Sequence, residues 1–263
     1  MKFLLLIIHF FSMIFFGSVV AVSIGAHFNG DWAKDLRRYI PLLKTSNWVW
    51  GICLIVLLIF GKHYYPWEEF NGHRAMYFTP GLLITRTILY FILSTLTLRL
   101  IDKKPYLPLI AFFFIGNFFS FDWGMSLEKE WISNMYGLIY MSNGTLAAMT
   151  IMTLFSFPRL SLPARSDYVH FMLTSAITWF YLHLGQFVIM WTGNLPREAT
   201  FYLERWETWG SSILFIAVLI KLIPLTFVSL FKDLKQNARN VGIISALIFM
   251  ACALEVVWLV RYP

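Results

Sequence analysis

Apolar residues in this chain come in eight long runs. They do not show the alternation of half-buried strands or the one-face stripe of a soluble amphipathic helix. The runs cover residues 3–26, 44–61, 79–99, 105–124, 132–157, 168–191, 209–231 and 241–259. A helix that crosses the hydrocarbon core needs about 20 apolar residues, so each run predicts one membrane-spanning helix, the second being short. Pro, Gly, Asn and charged residues stand between the runs, as expected where helices stop. The first run, Phe3 to Ala26, is longer than the about 7–15-residue apolar core of a signal peptide, and it leads straight into His27 and Asn29, so it reads as a retained span. No linker is long enough to separate domains, and no convincing internal repeat or low-complexity tract stands out. The expectation is an all-α polytopic transmembrane helix bundle, a single integral membrane domain over residues 1–263.

Composition agrees with this class. Hydrophobic residues make up 59% of the 263 and charged residues 13%, against about 45–50% and about 25% in soluble domains. Such a chain can neither bury its apolar surface alone in water nor stay disordered. The net charge of +7 follows loop position. The loops 29–43, 100–104, 158–167 and 232–240, with their borders, hold Lys34, Arg37, Arg38, Lys44, Arg99, Lys103, Lys104, Arg159, Arg165, Lys232, Lys235 and Arg239. The other loops and the termini hold Lys2, Lys62, Arg74, Lys129, Arg197, Arg205 and Arg261, together with the acids Glu68, Glu69, Glu128, Glu130, Glu198, Glu204 and Glu207. Basic loops face the cytoplasm, so both termini are expected on the outside, the periplasm of a bacterium, in its inner membrane. A basic balance drawn by loops calls for no nucleic-acid partner. Trp32, Trp48, Trp67, Trp123, Trp131, Trp191, Trp209 and Trp258 stand at or just beyond span ends, where indole rings favour the headgroup layer; only Trp179 is mid-span.

Ionisable residues inside spans are functional candidates, because a charge in hydrocarbon costs several kcal/mol unless it faces protein or water. They are His9, Arg86, Asp122, His183, Lys221 and Glu255, with polar Asn117, Asn143 and Gln186. At about 1.5 Å per residue, all the ionisable ones fall in the outer half except Lys221, near the middle. Arg86 and Asp122 match in depth and suit an ion pair. Lys221 and Glu255 differ by roughly 10 Å, so a direct pair needs water or a third group. The functional reading is one polar pocket open to the outside, for protons or a quinol headgroup; the plainer reading is structural pairing.

The two cysteines, Cys53 and Cys252, lie in apolar runs and form no C-x-x-C, so no metal or iron–sulfur ligand set is expected in this chain. Two stacked b haems would need two histidine pairs. His170 and His183 are about 20 Å apart along one helix, whereas His9 and His27 are about 27 Å apart, so one pair misses by about 7 Å. A b-type cytochrome is therefore the weakest of three alternatives, behind a stand-alone secondary transporter, for which no inverted repeat or matching pair of broken spans is evident.

Two stretches are more specific than hydropathy. One is Ser120-Phe-Asp-Trp-Gly-Met-Ser-Leu-Glu128, followed by Trp131 and Tyr136-Gly-Leu-Ile-Tyr140; the other is Phe180-Tyr-Leu-His-Leu-Gly-Gln-Phe-Val-Ile-Met-Trp191, then Gly193-Asn-Leu-Pro196. The first resembles the F-D-W-x-M-S-L-E-P-x-W segment, and the second the F-W-x-Y-x-x-F-S-Q-Y-x-L-I-W-Y-x-N-x-P-E-E segment, of the ActF-like (NrfD-like) membrane subunit of alternative complex III, a quinol:cytochrome c oxidoreductase. Weaker echoes are Asp35-Leu-Arg-Arg38, Tyr77 to Tyr90 with Arg86, and Trp258-Leu-Val with Pro263, in the family's order across nearly the whole chain. The chain departs from the family in having eight spans where about ten are usual, Lys129-Glu130 for Pro-His, Leu184-Gly185 for Phe-Ser, and Arg197-Glu198 for paired Glu, as in a shortened or divergent relative.

The resemblance implies a non-catalytic or accessory subunit of a respiratory complex that oxidises quinol. Iron–sulfur clusters and c haems would sit on partner subunits in the membrane and periplasm. This chain would be a structural partner with a proton-translocating role, and quinol is a candidate ligand of it or of its sister subunit. Arg86, Asp122, Glu128 and Gln186 carry over by motif; His9, His183, Lys221 and Glu255 come from depth alone.

Overall fold

The computed structural model describes residues 2–129, 131–193, 196–206 and 210–260. Glu130, Asn194, Leu195, Glu207, Trp209, Arg261 and Pro263 lie outside the described residues, as does the first residue of the 209–231 run. Among the described residues every regular element is helical. The order is α1 (Lys2–His27), α2 (Asp31–Arg37), α3 (Ile40–Phe60), α4 (Gly72–Tyr77), α5 (Pro80–Arg99), α6 (Tyr106–Phe119), α7 (Tyr136–Ser156), α8 (Leu162–Gly193), α9 (Pro196–Trp206), α10 (Gly210–Leu230), α11 (Lys232–Gln236) and α12 (Ala238–Leu259). Eight of them, α1, α3, α5, α6, α7, α8, α10 and α12, are long and apolar enough to cross a membrane, and each overlaps one apolar run.

Local chemistry sets several boundaries. Prolines occupy the first turns of α3 and α5, where a missing N–H costs nothing. The Asn237 side chain caps α12 by accepting from the N–H groups of Arg239 and Asn240. α8 begins at Leu162, six residues before the apolar run, because Arg165 turns its guanidinium onto the carbonyls of Phe157, Pro158 and Gln236 and holds the polar first turn in place. After α6 the chain takes a π-helical turn at Ser120–Gly124 and a 3-10 turn at Met125–Leu127.

The eight long helices form two rings of four. Consecutive helices pack around each ring: α1, α3, α5 and α6 in the first, and α7, α8, α10 and α12 in the second. α1 and α7 run side by side and join the rings, with α7 the most enclosed. Each half carries a cation on its third long helix, paired with a carboxylate at the far end of its fourth: Arg86 with Asp122, and Lys221 with Glu255. Helix order and ion-pair placement thus recur between the two rings, while the sequence shows no internal repeat.

Hydrogen bonds fix which segments share an end. Tyr140 reaches the His9 carbonyl, Tyr136 the Leu259 carbonyl, and Arg205 both Glu128 and the Trp258 carbonyl. The first residues of α1 and the last of α12 therefore share one end, called here the terminal end. The basic loops meet at the other, where Arg37 holds the Ala26 and Phe28 carbonyls and Arg165 the Gln236 carbonyl.

The tryptophan pattern needs correction. Trp48 and Trp191 are exposed, but Trp123, Trp131 and Trp258 are buried. They lie beneath α9 and the 61–78 segment, which cover the terminal end. Trp131 stacks on Phe201 of α9 at 3.7 Å between ring centres. Trp50, also fully buried, donates to Ser12.

Candidate functional site: buried charges at the terminal end

The first group lies within the first ring. Asp122 is fully buried because the π-helical turn, one residue wider than an α-turn, carries it inward at the end of α6. Arg86 meets it with two parallel bonds, Nε to Oδ2 at 2.9 Å and Nη2 to Oδ1 at 3.2 Å, the strong fork geometry of an arginine–carboxylate pair. Tyr90 donates to Oδ2 at 2.7 Å. Arg86 also donates to the Tyr77 carbonyl at 2.9 Å and lies 3.8 Å from the Tyr77 ring centre. Burial, and then the nearby Asp122 carboxylate, push the Tyr77 phenol above its ordinary value, so it stays protonated. The ion pair expected from matching depths is present.

The second group lies within the second ring. Glu255 is fully buried. Its Oε1 accepts from Trp179 Nε1 at 2.7 Å and from His183 Nε2 at 2.8 Å, and its Oε2 accepts from the Lys221 ammonium. Lys221 also donates to Asn143 Oδ1 at 2.8 Å and lies 3.8 Å from the Trp179 ring centre. Asn143 in turn donates to the Cys252 carbonyl at 3.2 Å. Every oxygen of the carboxylate is thus satisfied, as a buried charge requires.

The direct Lys221–Glu255 contact corrects the expectation of a 10 Å mismatch. Helical side chains lean toward their own N-terminus. α10 starts at the terminal end and α12 finishes there, so Lys221 leans outward and Glu255 leans inward. The two tilts close a gap that counting Cα depths leaves open.

The remaining residues singled out by sequence stand in separate small groups. Glu128 pairs with Arg205 at 2.7 Å. Gln186 Oε1 accepts from Ser133 at 2.5 Å. His9 Nε2 is 3.1 Å from Tyr65 Oη, and Tyr65 donates to the Trp123 carbonyl at 2.5 Å. The single polar pocket expected from depth is therefore divided. A polar cavity of about 560 Å³ at the terminal end is lined by His63, Glu69, Glu128, Lys129 and Glu204. A cavity of about 240 Å³ beside His183 has almost wholly apolar walls.

Sequence reasoning missed several partners. Arg205 is buried because α9, only 11 residues long, turns Phe201 and Arg205 inward at i and i+4; the one-sided apolar pattern of this short helix was the signal in the sequence. Asp35 sits in a basic loop, yet it is buried and accepts from Tyr168 at 2.6 Å. Nearby, Tyr39 shares a 2.7 Å bond with Ser156. The echo at Asp35-Leu-Arg-Arg38 was the available signal. His27 and His170 are exposed, and among the described residues no three His, Cys, Asp or Glu side chains gather as a metal site. Compared with known proteins, the chain matches no family model and no curated relative.

Asp122→Asn tests the first group. It removes the charge that holds Arg86 and leaves a donor facing a donor. The expected loss is at least about 1.5 kcal/mol, the scale of one charge-assisted hydrogen bond, read as a lower unfolding temperature in detergent. An unchanged melt would mean that Arg86 finds another partner.

Proposed function

We propose that this chain is an integral membrane subunit of a respiratory, quinol-oxidising assembly resembling alternative complex III. In this reading it lies in a bacterial inner membrane with both termini periplasmic. It supplies helices and a route for protons, while iron–sulfur clusters and c haems belong to partner subunits. One observation carries the reading. The positions that match the resembled motifs all hold a polar partner: Arg86 pairs with Asp122, Glu128 pairs with Arg205, and Gln186 accepts from Ser133.

The proton role draws support from a line of polar groups. At the terminal end, the polar cavity reaches Glu128 and Tyr65. Asn143, Thr150, Thr153 and Ser156, all buried, then follow along α7, spanning about 20 Å at the rise of a helix. They lead to Tyr39 and to the buried Asp35–Tyr168 pair at the basic end. Such groups, bridged by water, are the material of a proton path.

Purification from the native membrane tests the assembly. A multihaem cytochrome and an iron–sulfur protein should accompany the chain; a stable isolated chain without them overturns the proposal. Substrate uptake by the chain alone in proteoliposomes would establish a secondary transporter instead.

A further inference from the structure

The outward face of α8 is too polar for lipid. α8 is the least apolar of the eight spanning helices. α6 and α7, next in order, are buried over half or more of their spans and turn polar groups into the bundle, whereas α8 is buried over a third. Its outward face carries Asp167, His170, Thr174, Thr178 and Tyr181, all exposed, with half-buried Gly185 in line. The outward face of α12, by contrast, presents Ile243, Leu247, Met250, Leu254 and Val257. Tyr181 stands at the middle of the 168–191 run and is 69% exposed, and its hydroxyl bonds to no described residue. Tyrosine suits the headgroup layer, where water meets its hydroxyl. At mid-span, an outward hydroxyl surrounded by lipid goes unsatisfied. This face is therefore built to meet protein.

The spacing identifies the protein it meets. The six residues recur after 11 positions: Asp167 and Thr178, His170 and Tyr181, Thr174 and Gly185. Eleven residues are three helical turns, so the pattern keeps to one face for about 16 Å along the axis. Each repeat offers an oxygen acceptor, then a longer donor one turn on, then a small residue. Thr178 spends its hydrogen on the Thr174 carbonyl at 2.9 Å, which leaves its oxygen free to accept. Gly185 has nothing within 4 Å of an added methyl, so it is an open notch. Helical side chains lean toward the N-terminus, which brings His170 to the level of Asp167 and Tyr181 to the level of Thr178. Neither pair bonds within its own helix. On two parallel copies of α8, each donor meets the other copy's acceptor: the Tyr181 hydroxyl meets Thr178, and the His170 imidazole meets the Asp167 carboxylate, its complement in charge. A face that holds both halves of each bond complements itself, as an isologous contact requires. Thr174 and Gly185 allow the backbones to approach closely.

We propose that this chain pairs with a second copy of itself, α8 against α8 in parallel, through the face from Asp167 to Gly185. The two-fold axis runs along the membrane normal, so both copies keep the same orientation in the bilayer. The pairing rests on this face alone and is independent of the respiratory reading.

The test follows the full chain, carrying a single dye, in liposomes of phosphatidylethanolamine and phosphatidylglycerol. Photobleaching steps are counted at a series of chain-to-lipid ratios. The fraction bleaching in two steps should rise with the ratio and saturate at two copies. Two variants leave the fold's own bonds in place. Tyr181→Phe removes a hydroxyl that bonds to no described residue; interhelical bonds are individually modest, but symmetry removes two at once, so pairing should weaken about tenfold. Gly185→Leu projects into open space on its own chain and fills the notch, so it should leave single copies at every ratio. Both should melt as the wild type does, and Leu247→Phe on the outward face of α12 should pair as the wild type does. Thr174→Cys, oxidised with copper phenanthroline, should give a band at twice the chain's mass. The wild type should give none, because Cys53 lies on α3 and Cys252 is buried. Single steps at every ratio overturn the proposal, as does pairing unmoved by both α8 variants. A Thr174→Cys band in native membranes that joins the chain to a different protein also overturns it, and assigns the face to that partner.

Discussion

Replacing Gly144 with alanine is expected to break the junction between the two four-helix rings. A methyl group there would sit 2.2 Å from the Met13 carbonyl oxygen, and one on Gly17 would sit 2.0 Å from the Gly144 carbonyl carbon. Both obstacles are backbone, which cannot swing aside. α1 and α7 would have to separate along the seam that joins the halves, in a setting where close backbone approach at small residues is what holds helices together. Asn143, next in the chain, would shift with them and pull away from Lys221. Overpacking costs typically about 1–3 kcal/mol, and a backbone-on-backbone clash belongs above that range. The expected result is loss of a monodisperse peak in detergent, or a melt lowered by more than about 6 °C, taking about 2 °C per kcal/mol as the scale for a chain of this length. Gly242→Ala supplies the control, because nothing lies within 4 Å of its added methyl and alanine favours a helix by about 0.5–1 kcal/mol over glycine. Equal melts for the two variants would refute the close approach.

The helical class was open to sequence reading because hydropathy averages over about 20 residues and tolerates local error. What it could not give were features shorter than that window or dependent on direction. α9 is 11 residues, too short for a window set to membrane spans, so the one-sided apolar face that turns Phe201 inward passed as loop. Indoles at span ends read as a headgroup belt, yet Trp123, Trp131 and Trp258 lie under covering segments. A one-dimensional pattern cannot distinguish the membrane interface from the underside of a loop. Arg86 and Asp122 paired as expected because one helix turn of depth separates them. Lys221 and Glu255 were misjudged because side-chain lean depends on helix direction, and antiparallel helices lean toward each other here. Asp35 escaped because burial by Tyr168 overrides the basic loop around it. The paired rings escaped because they rest on which helices pack together, and hydropathy along the chain does not record that.

Glu255→Gln is expected to be the most damaging polar substitution in the chain. The carboxylate takes three donors, from Trp179, His183 and Lys221. Glutamine offers one acceptor oxygen and turns a donor amide toward one of those donors, leaving the Lys221 ammonium fully buried without a counter-charge. Breaking a buried ion pair from one side costs about 3–5 kcal/mol, whereas removing both charges together is often close to neutral. The double variant Lys221→Met with Glu255→Gln should therefore melt well above Glu255→Gln alone; a double variant no more stable than the single would show that the loss comes from Trp179 and His183 instead. Lys221→Met alone should fall between them, because Glu255 keeps two donors, Trp179 and His183. The double variant also separates structure from transport. It keeps the helices packed while removing the titratable pair from the core of the second ring. If the pair passes protons, the assembled complex carrying it should oxidise quinol and transfer electrons with proton translocation reduced. Translocation at the wild-type ratio would mean that Lys221 and Glu255 serve to hold α10 against α12 and nothing more.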